Sequence, residues 1–406
     1  MKKILFIAFN YPYGNFGPST NCTLRIMKKL SETGQYEVHC ISYKNCGQTT
    51  YEIAPNVIIH EIPIKARSHR QTKIFIYLKH LFSLATYPYN NICWDKKHYY
   101  ACKELLSNLH FDLVVSQYAT EPCLTSAIRL KKNGDIDNKL MVIFWDAIYG
   151  KLPRRIIPKK FALHRQRKAE DEIARHVDKL ISLYPLKAFH DEYGDVPNAS
   201  GKRVYLGIPS IVKPKSLGDS AYKHVIQEGR INMLYSGTIF RSEYVRYLVE
   251  LLNQTSFADR INLIFFSKGV DDDDFLRLKK NFKGNLQFSG WIPLYDLLAL
   301  YPFIDFFVSF PGNPTAIRSK VFEYMSYGKP LILLYDEDND VNVTTFARYP
   351  ACISLDERIN IIENLSSTNS FISEFYQKEV PFEKTEQLFI KDSPSAYIKL
   401  IDEFIS

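Results

Sequence analysis

Short apolar runs alternate along this chain with stretches whose apolar residues recur at helical spacing. KILFIAF (3–9), EVHCISY (37–43), NVIIHEIPI (56–64), FDLVVSQ (111–117), KLMVIFW (139–145) and DKLISL (178–183) read as strands. Between the first two lies TNCTLRIMKKLSET, with Leu24, Met27 and Leu30 on one helical face and Ser19 placed to cap its start. The pattern then begins again. INMLYSG (231–237), INLIFFS (261–267), NLQFSGWI (285–292), IDFFVSF (304–310) and LILL (331–334) are strands, with EYVRYLVELLNQ and LYDLLALY helical between them. Strand and helix in strict alternation predict parallel sheets covered by helices on both faces. IPSIVKPKSLGDS (208–220) carries two prolines, a glycine and little periodicity, which marks a linker. The expected division is a first domain over 1–207, a linker over 208–229, a second domain over 230–385 and a closing amphipathic segment over 386–406.

Length agrees with two domains, since 406 residues exceed one ordinary core. The seven cysteines form no C-x-x-C pair and read as thiols in a reducing compartment. The first strand is too short an apolar run for a signal peptide, and no stretch approaches the roughly 18 apolar residues of a membrane span. The expectation is a cytoplasmic protein. The net charge of +8 is unevenly placed: residues 1–205 carry +13 and residues 206–406 carry −5. The basic residues are scattered and no nucleic-acid-binding motif accompanies them, so nucleic acid is not an expected partner. Residues 64–104 mix Lys73, Lys79, Lys96 and Lys97 with Phe75, Tyr77, Trp94 and Tyr100, a composition that suits an anionic membrane surface. A pair of ordinary helices packed on the sheet is the alternative.

The densest local signal is SKVFEYMSYGKPLILLYD (319–336), which follows the loop PGNPTAIR. Val321, Phe322, Met325 and Tyr327 supply packing for a short helix, which Gly328 ends and Pro330 cannot continue. A helix start carrying Ser319 and Lys320 suits phosphate, because free N–H groups and the helix dipole attract anions. Glu323, one turn on, can accept hydrogen bonds from sugar hydroxyls. Together these describe a nucleotide-sugar site.

This segment resembles the nucleotide-sugar motif of retaining GT-B glycosyltransferases, in particular glycosyltransferase family 4 enzymes of bacterial polysaccharide clusters. The resemblance implies an α/β GT-B fold, with two Rossmann-like domains facing each other across a cleft and a last helix crossing back to the first. It implies donor contacts from Gly14 and Gly17 in the loop after the first strand, from Gly237, from Gly290-Trp291-Ile292 around the base, and from Ser319. Glu323 corresponds to the second acid of the family's E-x7-E motif, which holds the ribose. The first acid falls on Thr315, so Thr315, Ala316 and Ile317 are left to hold the sugar through backbone and side-chain hydrogen bonds. Lys320 and Arg241 would neutralise the departing diphosphate; the family's usual G-R-L arrangement is lost here, with Thr238 after the glycine. Asp146, just past a strand of the first domain, would orient or deprotonate the acceptor hydroxyl. Read locally, Arg241 is an exposed arginine at a helix start, Asp146 a loop cap and Gly14-x-x-Gly17 a tight turn.

The function implied is sugar transfer from a UDP- or GDP-sugar to a glycan or a lipid-pyrophosphate-linked acceptor. It would proceed with retention and without metal or other cofactor, in bacterial capsule or exopolysaccharide synthesis, with the protein peripheral to the inner face of the cell membrane. A non-catalytic GT-B subunit is the competing reading, favoured by Thr315 and the missing basic pair. A nucleotide-sugar epimerase is a third. It would want histidines around the sugar, where the second half offers only His224, ahead of its first strand.

Overall fold

The computed structural model describes residues 1–10, 18–45, 56–64, 92–118, 121–145, 158–268, 272–314 and 316–406. They form two compact units: Met1–Pro209 together with Ser393–Ser406, and Ser210–Asp392. Each is built on a wholly parallel sheet.

The strands of the first unit are β1 (Lys2–Asn10), β2 (Tyr36–Asn45), β3 (Val57–Ile64), β4 (Leu113–Tyr118), β5 (Lys139–Phe144), β6 (Lys179–Leu183) and β7 (Arg203–Leu206). Their spatial order is β3-β2-β1-β4-β5-β6-β7. Side chains of β1 alternate between two cores. Leu5 and Ile7 join Cys102, Leu124 and Ala127 on one face, and Ile4, Phe6 and Ala8 join Ile26, Met27 and Leu30 on the other. A strand buried on both faces has no polar side to show, which is why KILFIAF is apolar at every position after Lys3.

The helix Pro394–Ile405 belongs to this first unit although it ends the chain. Ser393 caps it by accepting from the Ser395 N–H, and Pro394 opens its first turn, where a missing N–H costs nothing. Tyr397 and Ile401 enter the core beside β1. The Tyr397 hydroxyl donates to Gly207 O at 2.7 Å, and the Tyr36 hydroxyl donates to Asp402.

The second unit has β8 (Ile231–Thr238), β9 (Ile261–Lys268), β10 (Asn285–Ser289), β11 (Phe306–Ser309), β12 (Leu331–Tyr335) and β13 (Cys352–Asp356). They lie in the order β10-β9-β8-β11-β12-β13. The stretch read as a linker packs on this unit from Ser210 onward. The N–H groups of Ser210 and Ile211 donate to Asp392 O at 2.8 and 2.9 Å, and Gly218 N donates to the Tyr295 hydroxyl at 3.0 Å. Two strands escape the sequence pattern, β7 and β13. Each is a sheet edge with one hydrogen-bonded neighbour and partial burial, so neither needs a continuous apolar run. Among the described residues no helix is long and apolar enough to cross a membrane.

Gly328 closes the helix Ser319–Ser326 at φ 73°, and a Cβ there would lie 2.4 Å from Val380 O. The same backbones already bond, Val380 N to Gly328 O at 2.8 Å. Gly328→Ala is expected to destabilise the protein by about 2 kcal/mol or more, from strain at positive φ plus a clash with main chain that cannot swing away. Gly312→Ala, with nothing near its would-be Cβ, should stay within about 0.5 kcal/mol of the parent in the same urea titration.

Candidate functional site

In the second sheet the chain leaves β8 for β9 on one side, and β11 enters on the other side of β8. The crevice beyond the carboxyl ends of strands at such a switch point is where open parallel sheets bind ligands. Three segments follow the strands here: 239–241 after β8, 310–318 after β11 and 336–340 after β12. Among the expected site residues, Gly237, Arg241, Gly290, Trp291, Ile292, Ala316, Ile317, Ser319, Lys320 and Glu323 fall in this unit. Gly14, Gly17, Asp146 and Thr315 lie outside the described residues.

The helix Ser319–Ser326 is pinned by its apolar face. Val321, Phe322, Tyr324 and Met325 are buried, and the Tyr324 ring stacks on Phe307 of β11 with centroids 4.0 Å apart. The Tyr324 hydroxyl accepts from Ser236 N at 3.2 Å and lies 3.0 Å from Ser236 Oγ, tying the helix to the end of β8. Next along that strand, Gly237 sits at φ 157°, and a Cβ there would fall 2.9 Å from the Tyr235 hydroxyl. Helical spacing turns Lys320 and Glu323 away from the buried face and onto one another: Lys320 Nζ lies 2.8 Å from Glu323 Oε2. Lys320 Nζ also stands 5.7 Å from the centroid of the buried Tyr301 ring. Burial, reinforced by the Glu323 charge, pushes the Tyr301 hydroxyl far above its ordinary range and the Tyr327 hydroxyl up to about 12. Both phenols therefore remain neutral beside the pair.

Arg241 is exposed and sits over the Tyr244 ring at 4.9 Å. Its Nη1 lies 3.5 Å from Asp336 Oδ2, an oxygen that also accepts from the Tyr244 hydroxyl at 2.8 Å. Half-buried Glu357 lies close enough to feel these charges. Burial, then repulsion from Asp336, pushes its carboxyl up to about 7, against the pull of Arg241. Arg241 and Lys320 are thus not joined; each is matched to its own carboxylate.

Gly290, Trp291 and Ile292 follow edge strand β10. The Trp291 ring is 60% exposed, with Lys268 Nζ 4.7 Å over its centroid. Ile292 is half-buried, and Gly290 has open space where a side chain would stand. An exposed indole with a cation on its ring is a stacking surface for another aromatic ring.

The sequence reading passed over a buried network beneath the loop 313–318. The Arg318 guanidinium bonds the Asp340 carboxylate and donates through Nη1 to Leu334 O at 3.1 Å. Asn342, fully buried, donates through Nδ2 to Ala316 O at 3.0 Å and accepts through Oδ1 from Arg318 N at 2.8 Å. The only local signal was a third polar residue before the helix, Arg318 ahead of Ser319 and Lys320. Its partners lie 22 and 24 positions away.

In the first unit, Glu170, His190 and Asp195 come together with spacing that a metal ion accepts. Arg203 already bridges the two carboxylates, 2.6 Å from Glu170 and 2.8 Å from Asp195. The site holds a guanidinium and is structural.

No protein-family model and no curated protein sequence matches the chain. Solved structures do match its fold. Sucrose-phosphate synthase from Thermosynechococcus elongatus superposes with a TM-score of 0.59 at 13% identity, over 100% of this chain and 99% of that one. WaaG, a glycosyltransferase involved in lipopolysaccharide biosynthesis, gives 0.54 at 15%, over 98% and 99%. A UDP-N-acetylglucosamine 2-epimerase gives 0.52 at 10%, over 95% and 93%. The fold is GT-B, with parallel α/β units of seven and six strands.

Glu357 titrates across the neutral range. Its folded pKa stands above the unfolded one, so its contribution is intact below the unfolded value, near 4.5, and is lost as pH rises through about 7. Glu357→Gln should therefore match the parent at pH 4.5 and exceed it in stability at pH 8, as measured by urea unfolding at both pH values. An equal offset at both would show that the carboxyl is not perturbed.

Proposed function

We propose that this chain is a glycosyltransferase that moves a sugar from a nucleotide-diphosphate sugar to a glycan or lipid-pyrophosphate-linked acceptor. Anomeric configuration is retained and no metal takes part. The observation that carries the reading is the placement of Lys320 and Glu323. They stand side by side on the unburied face of a helix that begins at the switch point of a parallel sheet. In that position Glu323 receives the ribose hydroxyls, and Lys320, released from Glu323 by the incoming anion, meets the diphosphate. Charge builds on the diphosphate as the glycosidic bond breaks, so a positioned cation stabilises the transition state more than the bound substrate. Arg241 supplies a second cation. Trp291, with Gly290 and Ile292, takes the base, Ser319 and Gly237 line the phosphates, and Thr315, Ala316 and Ile317 face the sugar. Gly14 and Gly17, assigned to the phosphates, and Asp146, assigned to the acceptor hydroxyl, lie outside the described residues.

A lipid-linked acceptor at the inner face of a bacterial membrane, in surface polysaccharide synthesis, completes the reading. It is supported by the described end of the basic–aromatic stretch, the helix Ile92–Asn108, where Lys96, Lys97 and Tyr100 are exposed. The remainder, 65–91, lies outside the described residues.

One observation favours a second reading, a GT-B subunit without turnover: both candidate cations are already matched to carboxylates. The epimerase reading is weaker, because exposed His224 bonds Ala221 O ahead of β8, at the opposite end of that strand from the crevice.

Thermal unfolding with UDP or GDP tests the reading. Ligand at about a hundred times its Kd adds roughly 2.7 kcal/mol to a protein that binds it only when folded; no shift with any nucleoside diphosphate refutes the proposal. Glu323→Ala should weaken binding of the stabilising nucleotide by about 1–3 kcal/mol in calorimetry, through loss of a charged acceptor. Lys320→Ala should lower kcat for donor hydrolysis or transfer more than it lowers donor affinity. Binding without turnover in the parent would favour the second reading.

A further inference from the structure

The backbone at Pro314, Ala316 and Arg318 is held by the segment after β12, in an expensive arrangement. Arg318 buries a guanidinium whose Nη2 pairs with Asp340 and whose Nη1 donates to Leu334 O, while its Nε is buried with no partner. A buried ion pair with an unmatched N–H is a poor device for stability alone; apolar side chains in place of both partners usually do as well or better. What the network supplies is position. Asn342 grips the loop backbone at two points, Ala316 O and Arg318 N, with a single carboxamide. That carboxamide is itself fixed, because Asp340 Oδ1 accepts from Asn342 Nδ2 at 2.7 Å and from Asn342 N at 2.9 Å. Val341 N adds a third tie, to Pro314 O at 2.9 Å. The segment after β12 thereby sets the loop after β11, and the loop runs directly into Ser319 and Lys320.

We infer that Arg318, Asp340 and Asn342 act as positioning residues: they preorganise the backbone at Pro314 and at 316–318, and the helix start behind it, for a diphosphate group. This rests on the nucleotide-sugar reading above. The role assigned to Arg318 is indirect, since its two terminal nitrogens are engaged by Ser309 Oγ, Leu334 O and Asp340. Its contribution is a fixed backbone at the phosphates, so its loss should be felt in proportion to the phosphates a ligand carries.

The test is calorimetry with UDP, UMP and uridine, and with GDP, GMP and guanosine, using whichever series the parent binds. For Arg318→Met, an apolar replacement of comparable length, the expected result is about a tenfold or greater loss for the diphosphate. Nucleoside affinity should stay within about twofold, while stability falls, because the buried Asp340 carboxylate is left without its cation. Arg318→Lys keeps the charge against Asp340 but loses the fork, and should fall between parent and Met variant. It carries the test if Arg318→Met does not fold. Unchanged diphosphate affinity, or equal losses for diphosphate, monophosphate and nucleoside, overturns the inference while leaving the nucleotide-sugar reading in place. A parent that binds no nucleoside diphosphate overturns both.

Discussion

The second unit depends on one buried contact, the seating of Tyr324 between Ser236 and Phe307. The ring stacks on β11, and the hydroxyl meets the backbone and side chain of Ser236 on β8, so a single residue ties the helix Ser319–Ser326 to both strands that flank the switch point. The burial of Val321, Phe322 and Met325 follows, and helical periodicity then puts Lys320 and Glu323 on the other side. An unpaired polar group at this depth would cost about 1–3 kcal/mol. Ser236 and Tyr324 therefore hold each other in register, and the charged pair inherits its place from them.

Charge is handled differently in the two units. In the first, Arg203 is buried with two carboxylates, and His190 lies between Glu170 and the Tyr205 hydroxyl, at 3.2 and 2.7 Å. That cluster is closed on itself. In the second unit the two candidate cations sit in more open arrangements: exposed Arg241 is shared between an aromatic face and one carboxylate 3.5 Å away, and half-buried Lys320 is paired within its own helix. Pairs at or near the surface are worth little, and an anionic ligand can displace them at small cost. Arg318 stands between these extremes, largely buried like Arg203 but with one carboxylate where Arg203 has two.

How much of this was legible in the chain varies with the range of the interaction. β1 and β8 were readable because a strand buried on both faces is apolar over most of its length. The helix Ser319–Ser326 was readable because packing residues, a glycine at positive φ and a proline after it are all local requirements. β7 and β13 were not, since an edge strand leaves only a weak mark on composition. The seating of the linker on the second unit was also out of reach, because proline and glycine announce irregular backbone without saying what it packs against.

The sequence by itself determined the alternation of strands and helices, the existence of two units, and the residues left off the packed face of the helix Ser319–Ser326. Each of these follows from local propensity or from a period of two or 3.6 residues. Tertiary structure alone decided the partners. Arg241 meets Asp336 across 95 positions, Arg318 meets Asp340 and Asn342 across a helix, a strand and the segments that join them, and Tyr36 meets Asp402 across 366. No periodicity encodes such pairs. They exist because a parallel sheet brings the ends of sequence-distant strands, and the helices packed on them, within a few ångströms of one another.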